Sequence, residues 1–148
     1  MNPQTLAAIV DLLNEGGWNY SVFLKGYPAQ LKIGMSSQQL VQTALGSSAV
    51  VERVQQVTTQ QVLAEVEASL AYAGDSGAGP NEAAIQSERF RELLTTLLAE
   101  TNAVATEAKK VEQFWLKEGH PAYPVFWDFA FLFTGSEEAL VFIGSSSD

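Results

Sequence analysis

Residue types that form hydrolase triads occur near the C-terminus of the chain. His120 is the only histidine, Asp128 follows it, and serines lie in the final residues. In a serine hydrolase, the histidine takes the serine proton and the carboxylate orients the imidazole. The G-x-S-x-G segment that presents such a serine is absent, and a lone histidine before Pro121 is typical of a turn. We therefore predict no catalytic residue, and the sequence leans against an enzyme.

Asp128 lies within an aromatic stretch, residues 125–133, where a carboxylate is costly to bury unless it is hydrogen-bonded or paired. Alternate residues of a strand point to opposite faces, so Asp128 shares a face with Ala130 and Leu132 and not with the large odd-numbered residues. This pattern favours an exposed or locally hydrogen-bonded Asp128. The alternative is a functional carboxylate at a pocket or an interface.

The chain offers few ligands to a metal ion or a phosphate group. It has no cysteine and one histidine, and it contains neither an H-E-x-x-H motif nor a calcium-binding loop of EF-hand form. Residues 74–79 resemble a phosphate-binding loop, but the Lys-Ser/Thr ending is missing and the preceding segment is predicted to be helical. We predict no metal and no cofactor.

The formal net charge of the 148-residue chain is −9. A negative surface repels nucleic acid and anionic lipid, and the longest apolar run is shorter than the ~20 residues that span a bilayer. We therefore expect neither nucleic acid nor membrane as a partner, whereas a basic protein would suit this charge. The absence of cysteine and of a basic N-terminal leader predicts a cytoplasmic location.

The first part of the chain predicts a helix, a hairpin and a second helix. Asn2 and Pro3 begin an amphipathic helix over residues 3–15. Two alternating apolar runs flank Gly26-Tyr27-Pro28 and predict a β-hairpin over residues 18–35. Ser36 and Gln39 have the spacing of a capping box for a helix over residues 37–45.

The middle of the chain, residues 37–118, is predicted to be helical except for a loop over residues 74–81. Residues 49–72 contain strand-favouring valines, but their spacing does not alternate, so we favour helix, with a kink or break at Thr58-Thr59. From Phe90 to Trp115 apolar residues repeat with heptad spacing, which predicts one helix over residues 82–117. This helix pairs with residues 49–72 or with another copy of the chain in a homo-oligomer.

The C-terminal part predicts a second hairpin over residues 125–143 and a short, unanchored tail over residues 144–148. The predicted fold is a single α+β domain over residues 1–148, in which two hairpins form an antiparallel sheet. The N-terminal helix and a long antiparallel helical pair cover this sheet. We expect the aromatic strand to be covered on both faces; the alternative leaves Phe126 and Leu132 exposed as a binding surface.

Two functions fit these observations. The first is a non-catalytic protein-interaction module, such as an adaptor, a chaperone-like factor, an inhibitor or an immunity-type binder, that uses an acidic helical surface. The alternative is a small-molecule-binding domain or small enzyme with an aromatic pocket between sheet and helices. The residues predicted for a pocket or interface are Trp18, Tyr20, His120, Tyr123, Trp127, Asp128 and Phe129.

Overall fold

The computed structural model describes all 148 residues, and its five strands form one antiparallel sheet in the order β1-β5-β4-β3-β2. The predicted α+β class is therefore confirmed. The helices are α1 (Pro3–Asn14), α2 (Ser37–Leu45), α3 (Thr59–Leu70), α4 (Glu82–Ile85) and α5 (Glu88–Glu107). The strands are β1 (Ser21–Gln30), β2 (Val50–Gln56), β3 (Lys110–Glu118), β4 (Trp127–Thr134) and β5 (Glu138–Ser147).

The sheet separates two clusters of buried apolar side chains. Phe129, Phe131 and Phe133 of β4 point to one side, the helical face, which α1, α3, α4 and α5 cover and where the buried cluster has 17 residues. Ala130 and Leu132 point to the other side, the α2 face, where the buried cluster has 9 residues. Because both faces of β4 are covered, almost every residue in it is apolar. The predicted core strand is confirmed.

The helix starts that were read from capping residues are confirmed. The Asn2 side chain accepts a hydrogen bond from the Gln4 N–H, and Pro3 follows it in the first turn. Ser36 and Gln39 make both bonds of a capping box at the start of α2. Gly16 follows α1 with a φ of 69°, a conformation that disfavours further helix. The two helices predicted over residues 3–15 and 37–45 are therefore α1 and α2.

The hairpin predicted over residues 18–35 is wrong. β1 continues through Gly26-Tyr27-Pro28, because all ten of its residues pair with β5. β1 is an edge strand, where a proline can face away from the neighbouring strand without losing a hydrogen bond of the sheet. Residues 31–35 form no strand, and the Ile33 side chain is fully exposed.

The helix predicted over residues 49–72 is half wrong. Residues 50–56 form β2, and only Thr59–Leu70 is helical, as α3. The pairing of β2 with β3 shifts register between Val50 and Val51 and again between Val51 and Arg53. Such bulges reset the alternation of side chains, which is why the strand lacks the period of two. The kink or break predicted within a helix at Thr58-Thr59 is instead the boundary between β2 and α3, and Thr58 caps α3 through a second capping box.

The single helix predicted over residues 82–117 is wrong. α4 ends at Ile85, Ser87 caps α5, and α5 ends at Glu107, after which residues 110–118 form β3 between β2 and β4. The heptad spacing therefore continues by coincidence into a strand that pairs on both sides. Phe90 and Leu97 are buried within the chain, and α3 packs against α5, so a shorter helical pair covers the sheet.

The hairpin predicted over residues 125–143 is confirmed as β4 and β5, but the tail predicted over residues 144–148 is wrong. Residues 144–147 belong to β5 and pair with β1 on one side and β4 on the other. Gly144 has no side chain to pack, and the Phe129 ring covers it, so that a Cβ there would overlap the ring. This cross-strand contact anchors the segment.

Candidate functional site

Three of the residues predicted for an aromatic site lie together on the helical face. The Trp127 Nε1 donates a hydrogen bond of 2.9 Å to the Tyr20 hydroxyl, and the Trp127 and Phe129 rings stack with centroids 6.0 Å apart. Burial raises the pKa of the Tyr20 hydroxyl, and the hydrogen bond from Trp127 opposes part of this rise. These residues form a packed part of the core.

Two aromatic residues that were not predicted for the site complete this cluster. Tyr72 follows α3 and stacks on Tyr20 with ring centroids 6.2 Å apart, and Phe126 lies within 6.0 Å of both rings. Tyr72 could not be assigned from sequence because only the packing of α3 brings it to the start of β1. The aromatic cluster is therefore Tyr20, Tyr72, Phe126, Trp127 and Phe129.

The other four predicted site residues lie outside this cluster's packing. Trp18 is 73% exposed and Tyr123 is 81% exposed. His120 lies in the loop before β4, where its Nδ1 interacts with the backbone of Ala122. Asp128 is exposed and belongs to the α2 face of β4, opposite Phe129. The side chains of His120 and Asp128 are not joined by a hydrogen bond or an ion pair.

Carboxylates are concentrated on the helices of the helical face. α1, α3, α4 and α5 together carry eight carboxylates but only two basic residues, Arg89 and Arg91. The remaining six basic residues lie in strands and loops. This acidic helical layer is formed by Asp11, Glu65, Glu67, Glu82, Glu88, Glu92, Glu100 and Glu107.

A groove of about 500 Å³ opens between the C-terminal end of α5 and the turn that joins β4 to β5. Its floor is apolar and includes Val104, Phe133 and Leu140, with Pro28 of β1 at one side. Its rim carries three exposed carboxylates, Glu107, Glu137 and Glu138, and no basic residue lines it. We call this feature the acidic groove.

The rim of the acidic groove is held in place by backbone hydrogen bonds. The Gly135 N–H donates to the Glu138 carbonyl oxygen over 2.8 Å, and the Leu31 N–H donates to the Glu137 carbonyl oxygen over 3.0 Å. The Lys109 N–H, just after α5, donates to the Thr134 carbonyl oxygen over 2.9 Å. The backbone that carries Glu137 and Glu138 is therefore held by the sheet, while their exposed side chains stay free to reorient.

The rim carboxylates have no cationic partner within the chain. The salt bridge of this structure joins Lys110 to Glu112 at 2.7 Å, on the opposite face of the sheet. The carboxylates of Glu107, Glu137 and Glu138 do not converge on a point where they could hold a metal ion. The groove can thus offer separate negative charges around an apolar floor.

Sequence reasoning missed the acidic groove because its residues come from distant parts of the chain. Glu137 and Glu138 fall within the hairpin predicted over residues 125–143, and Glu107 falls within the helix predicted over residues 82–117. The only available signal was a pair of glutamates in a turn between two apolar strands. Recognising the groove also required the end of α5 at Glu107, which no glycine or proline marks.

Other clefts of the molecule lie on the outside of the helices. One of about 440 Å³ lies between α1 and Arg89, and another of about 400 Å³ lies along the polar surface of α5. Neither cleft nor the acidic groove is lined by any of the seven predicted site residues.

None of the five helices has the length and apolar character needed to cross a bilayer. Comparisons with protein-family models, curated proteins and solved structures each found no match to this chain.

Proposed function

We propose that this protein is a non-catalytic interaction module that binds a basic protein partner through its acidic helical layer. The observation that carries the proposal is the separation of charge, with eight carboxylates and two arginines on the helices that cover one face. An adaptor, a chaperone-like factor, an inhibitor or an immunity-type binder would each use such a surface.

The concentration of carboxylates favours binding over a structural role. Exposed like charges repel one another, and of the eight carboxylates only Glu100 holds another helix in place, through hydrogen bonds at the start of α1. A basic partner would relieve this repulsion, and the complementary fields would accelerate encounter. Screening by salt would then weaken binding, because the Debye length falls to about 8 Å at physiological ionic strength.

The proposal is tested with peptides of equal length and apolar content that carry lysine, glutamine or glutamate at the variable positions. Fluorescence anisotropy measures their binding at low and at physiological salt. We expect the lysine peptides to bind, the glutamate peptides not to bind, and the affinity for lysine peptides to fall as salt is added. Equal affinity for all three classes would contradict the proposal.

A matched pair of charge reversals locates the surface. Glu65→Lys with Glu92→Lys changes the acidic helical layer, and Glu52→Lys with Glu118→Lys makes the same change in charge on β2 and β3. All four side chains are exposed, so both variants should fold. We expect the first variant to lose most of its affinity for the lysine peptides and the second to retain it.

A small-molecule site at the aromatic cluster is the second candidate. The hydrogen bond between Tyr20 and Trp127 and the half-buried Trp127 ring favour it, since a polar group beside an aromatic face can orient a ligand. The close stacking of the rings argues against a preformed space. Binding of a metabolite panel would be detected by a thermal shift together with a change in tryptophan fluorescence that Trp127→Phe abolishes.

A further inference from the structure

We infer that the acidic groove is the specificity site of this interaction, and that it takes an extended segment of the partner in which an apolar side chain is followed by arginine or lysine. The inference rests on the proposed function and names the chemistry of the partner. Its basis is the combination of an apolar floor with a rim of unpaired carboxylates.

The C-terminal end of α5 lies beside the acidic groove and, like the ends of the other four helices, has no basic residue in its last turn. The C-terminus of a helix carries a partial negative charge and favours basic residues in its last turn. The last turn of α5 has no basic residue and ends with Glu107, whose carboxylate faces the acidic groove. A cation seated beside Glu107 would interact favourably with both the carboxylate and the helix end.

The floor of the acidic groove gives the partner's apolar side chain a place to bind. Val104 and Leu140 are half-buried, so each leaves part of its apolar surface in contact with water. Covering this apolar surface favours binding, while the charged rim selects the residue that follows. Since backbone bonds hold the turn, little backbone freedom would be lost on binding, and the entropic cost would come from ordering the glutamate side chains.

Addition of the partner as a sixth strand is disfavoured on this side of the sheet. The edge strand here is β1, and Pro28 interrupts its row of N–H donors beside the acidic groove. Recognition would therefore come from side chains. Because the three carboxylates do not converge on a metal site, separate N–H donors of a guanidinium or ammonium group suit them better than a bare metal ion.

The test uses three short capped peptides, Gly-Leu-Arg-Gly, Gly-Leu-citrulline-Gly and Gly-Gly-Arg-Gly. The second removes the charge and keeps the shape, and the third removes the apolar side chain. Titration of ¹⁵N-labelled protein followed by NMR reports the affinity and the position of binding. We expect the first peptide to bind most tightly and to shift the amides of Ala108, Gly135 and Ser136.

Two triple variants with the same change in charge separate the groove from the acidic helical layer. The groove variant is Glu107→Gln, Glu137→Gln and Glu138→Gln, and the control is Glu65→Gln, Glu67→Gln and Glu92→Gln. We expect the groove variant to lose affinity for Gly-Leu-Arg-Gly by about tenfold or more, the loss of one charge-assisted hydrogen bond, and the control by less than about twofold. All six side chains are exposed, and circular dichroism checks that both variants fold.

The outcomes distinguish this inference from the proposed function. Equal loss of affinity in both triple variants would overturn the groove as the specificity site while leaving general binding by the acidic helical layer intact. Failure of Gly-Leu-Arg-Gly to shift the groove amides, with the longer lysine peptides still bound, would do the same. Failure of every basic peptide to bind would overturn both.

Discussion

The helical face of the sheet is covered by helices that carry eight carboxylates, whereas the α2 face is covered by one nine-residue helix without any charged residue. The buried clusters beneath them have 17 and 9 residues, respectively. The helices of the helical face bury enough apolar side chains to stay packed on the sheet, even though the carboxylates on their outer surface repel one another. Their outer residues are therefore free to serve a partner.

The smaller cover is fastened by polar contacts. The Gln38 side chain donates to the Ala49 carbonyl oxygen and accepts from the Val51 N–H, which ties α2 to the start of β2. The Ser37 hydroxyl donates to the buried Glu112 carboxylate of β3 over 2.9 Å. These bonds tie α2 to β2 and β3, and under the proposed function only the helices of the opposite face would also bind a partner.

The strongest test of this comparison truncates two neighbouring residues of β4 that point to opposite faces. Phe131 and Leu132 are each 1% exposed. We expect Phe131→Ala to lower the free energy of unfolding by about 4 kcal/mol and Leu132→Ala by about 3 kcal/mol, because each leaves a cavity in a packed core. Urea denaturation of both variants measures these values. A loss below about 1 kcal/mol for Leu132→Ala would mean that the α2 face is not a true core.

The next test adds one methyl group to the helical face. A Cβ at position 144 would overlap the Phe129 ring and lie 2.8 Å from a methyl group of Leu24. We expect Gly144→Ala to lower the free energy of unfolding by about 2 kcal/mol, since the packed rings cannot move aside cheaply. Gly77→Ala in the exposed loop is the control, because its Cβ would meet nothing closer than 4.0 Å, and it should have little effect on the denaturation midpoint.

A smaller effect is expected from the carboxylates that fasten one helix on each face. Glu112 binds Ser37 at the start of α2, and Glu100 accepts hydrogen bonds from the Asn2 N–H and the Thr5 hydroxyl at the start of α1. We expect Glu112→Ala to cost about 1.5 kcal/mol, because the contact is buried and charge-assisted. Glu100→Ala should cost less than about 1 kcal/mol, since Glu100 is only half-buried.

Hydrogen exchange shows which helices lose protection in Glu112→Ala and in Glu100→Ala. In Glu112→Ala the amides of α2 should exchange faster while those of α1 and α3 keep their protection, because α2 has the smaller apolar contact. Faster exchange throughout the chain would show that α2 unfolds only together with the rest of the molecule and would weaken the contrast between the two covers.

Local signals of the sequence were sufficient at two helix starts, where the capping residues Asn2 and Ser36 mark helices that the structure contains. Ser87 also caps a helix, but it lies inside the single helix predicted over residues 82–117, so the start of α5 was missed. The alternation of aromatic residues in β4 identified a strand, because its period of two does not depend on which strands lie beside it. These features determine the class of the fold.

The segments that were assigned wrongly are those whose conformation depends on the strands that pair with them. Val111 and Trp115 have heptad spacing and no helix breaker before them, yet they lie in β3 because β2 and β4 bond to this segment from both sides. Pro28 resembled a turn because β5, its partner strand, lies more than a hundred residues away in sequence. The acidic groove depends on both misassigned segments, so it could not be predicted.

A loss of comparable size is expected in the aromatic cluster, where the helical face meets the start of β1. Tyr20→Phe removes the acceptor of the Trp127 N–H and should lower the free energy of unfolding by about 1 kcal/mol at neutral pH. Tyr123→Phe, on an exposed ring, is the control and should change nothing. Urea denaturation at neutral pH measures both.

The pH dependence of the stability loss in Tyr20→Phe distinguishes two contributions of the Tyr20 phenol, its hydrogen bond with Trp127 and its burial. Because burial raises the pKa of Tyr20, the unfolded chain loses its phenolic proton before the folded chain does. The stability contributed by Tyr20 is therefore complete below the ordinary tyrosine pKa of about 10 and declines as pH rises through the folded-state pKa. The stability gap between the native protein and Tyr20→Phe should narrow over that range, since Tyr27, whose pKa burial also raises, is common to both. A gap that stayed constant above pH 10 would show that the Tyr20 hydroxyl ionises as easily in the folded chain as in the unfolded one, and that the cluster is open to water.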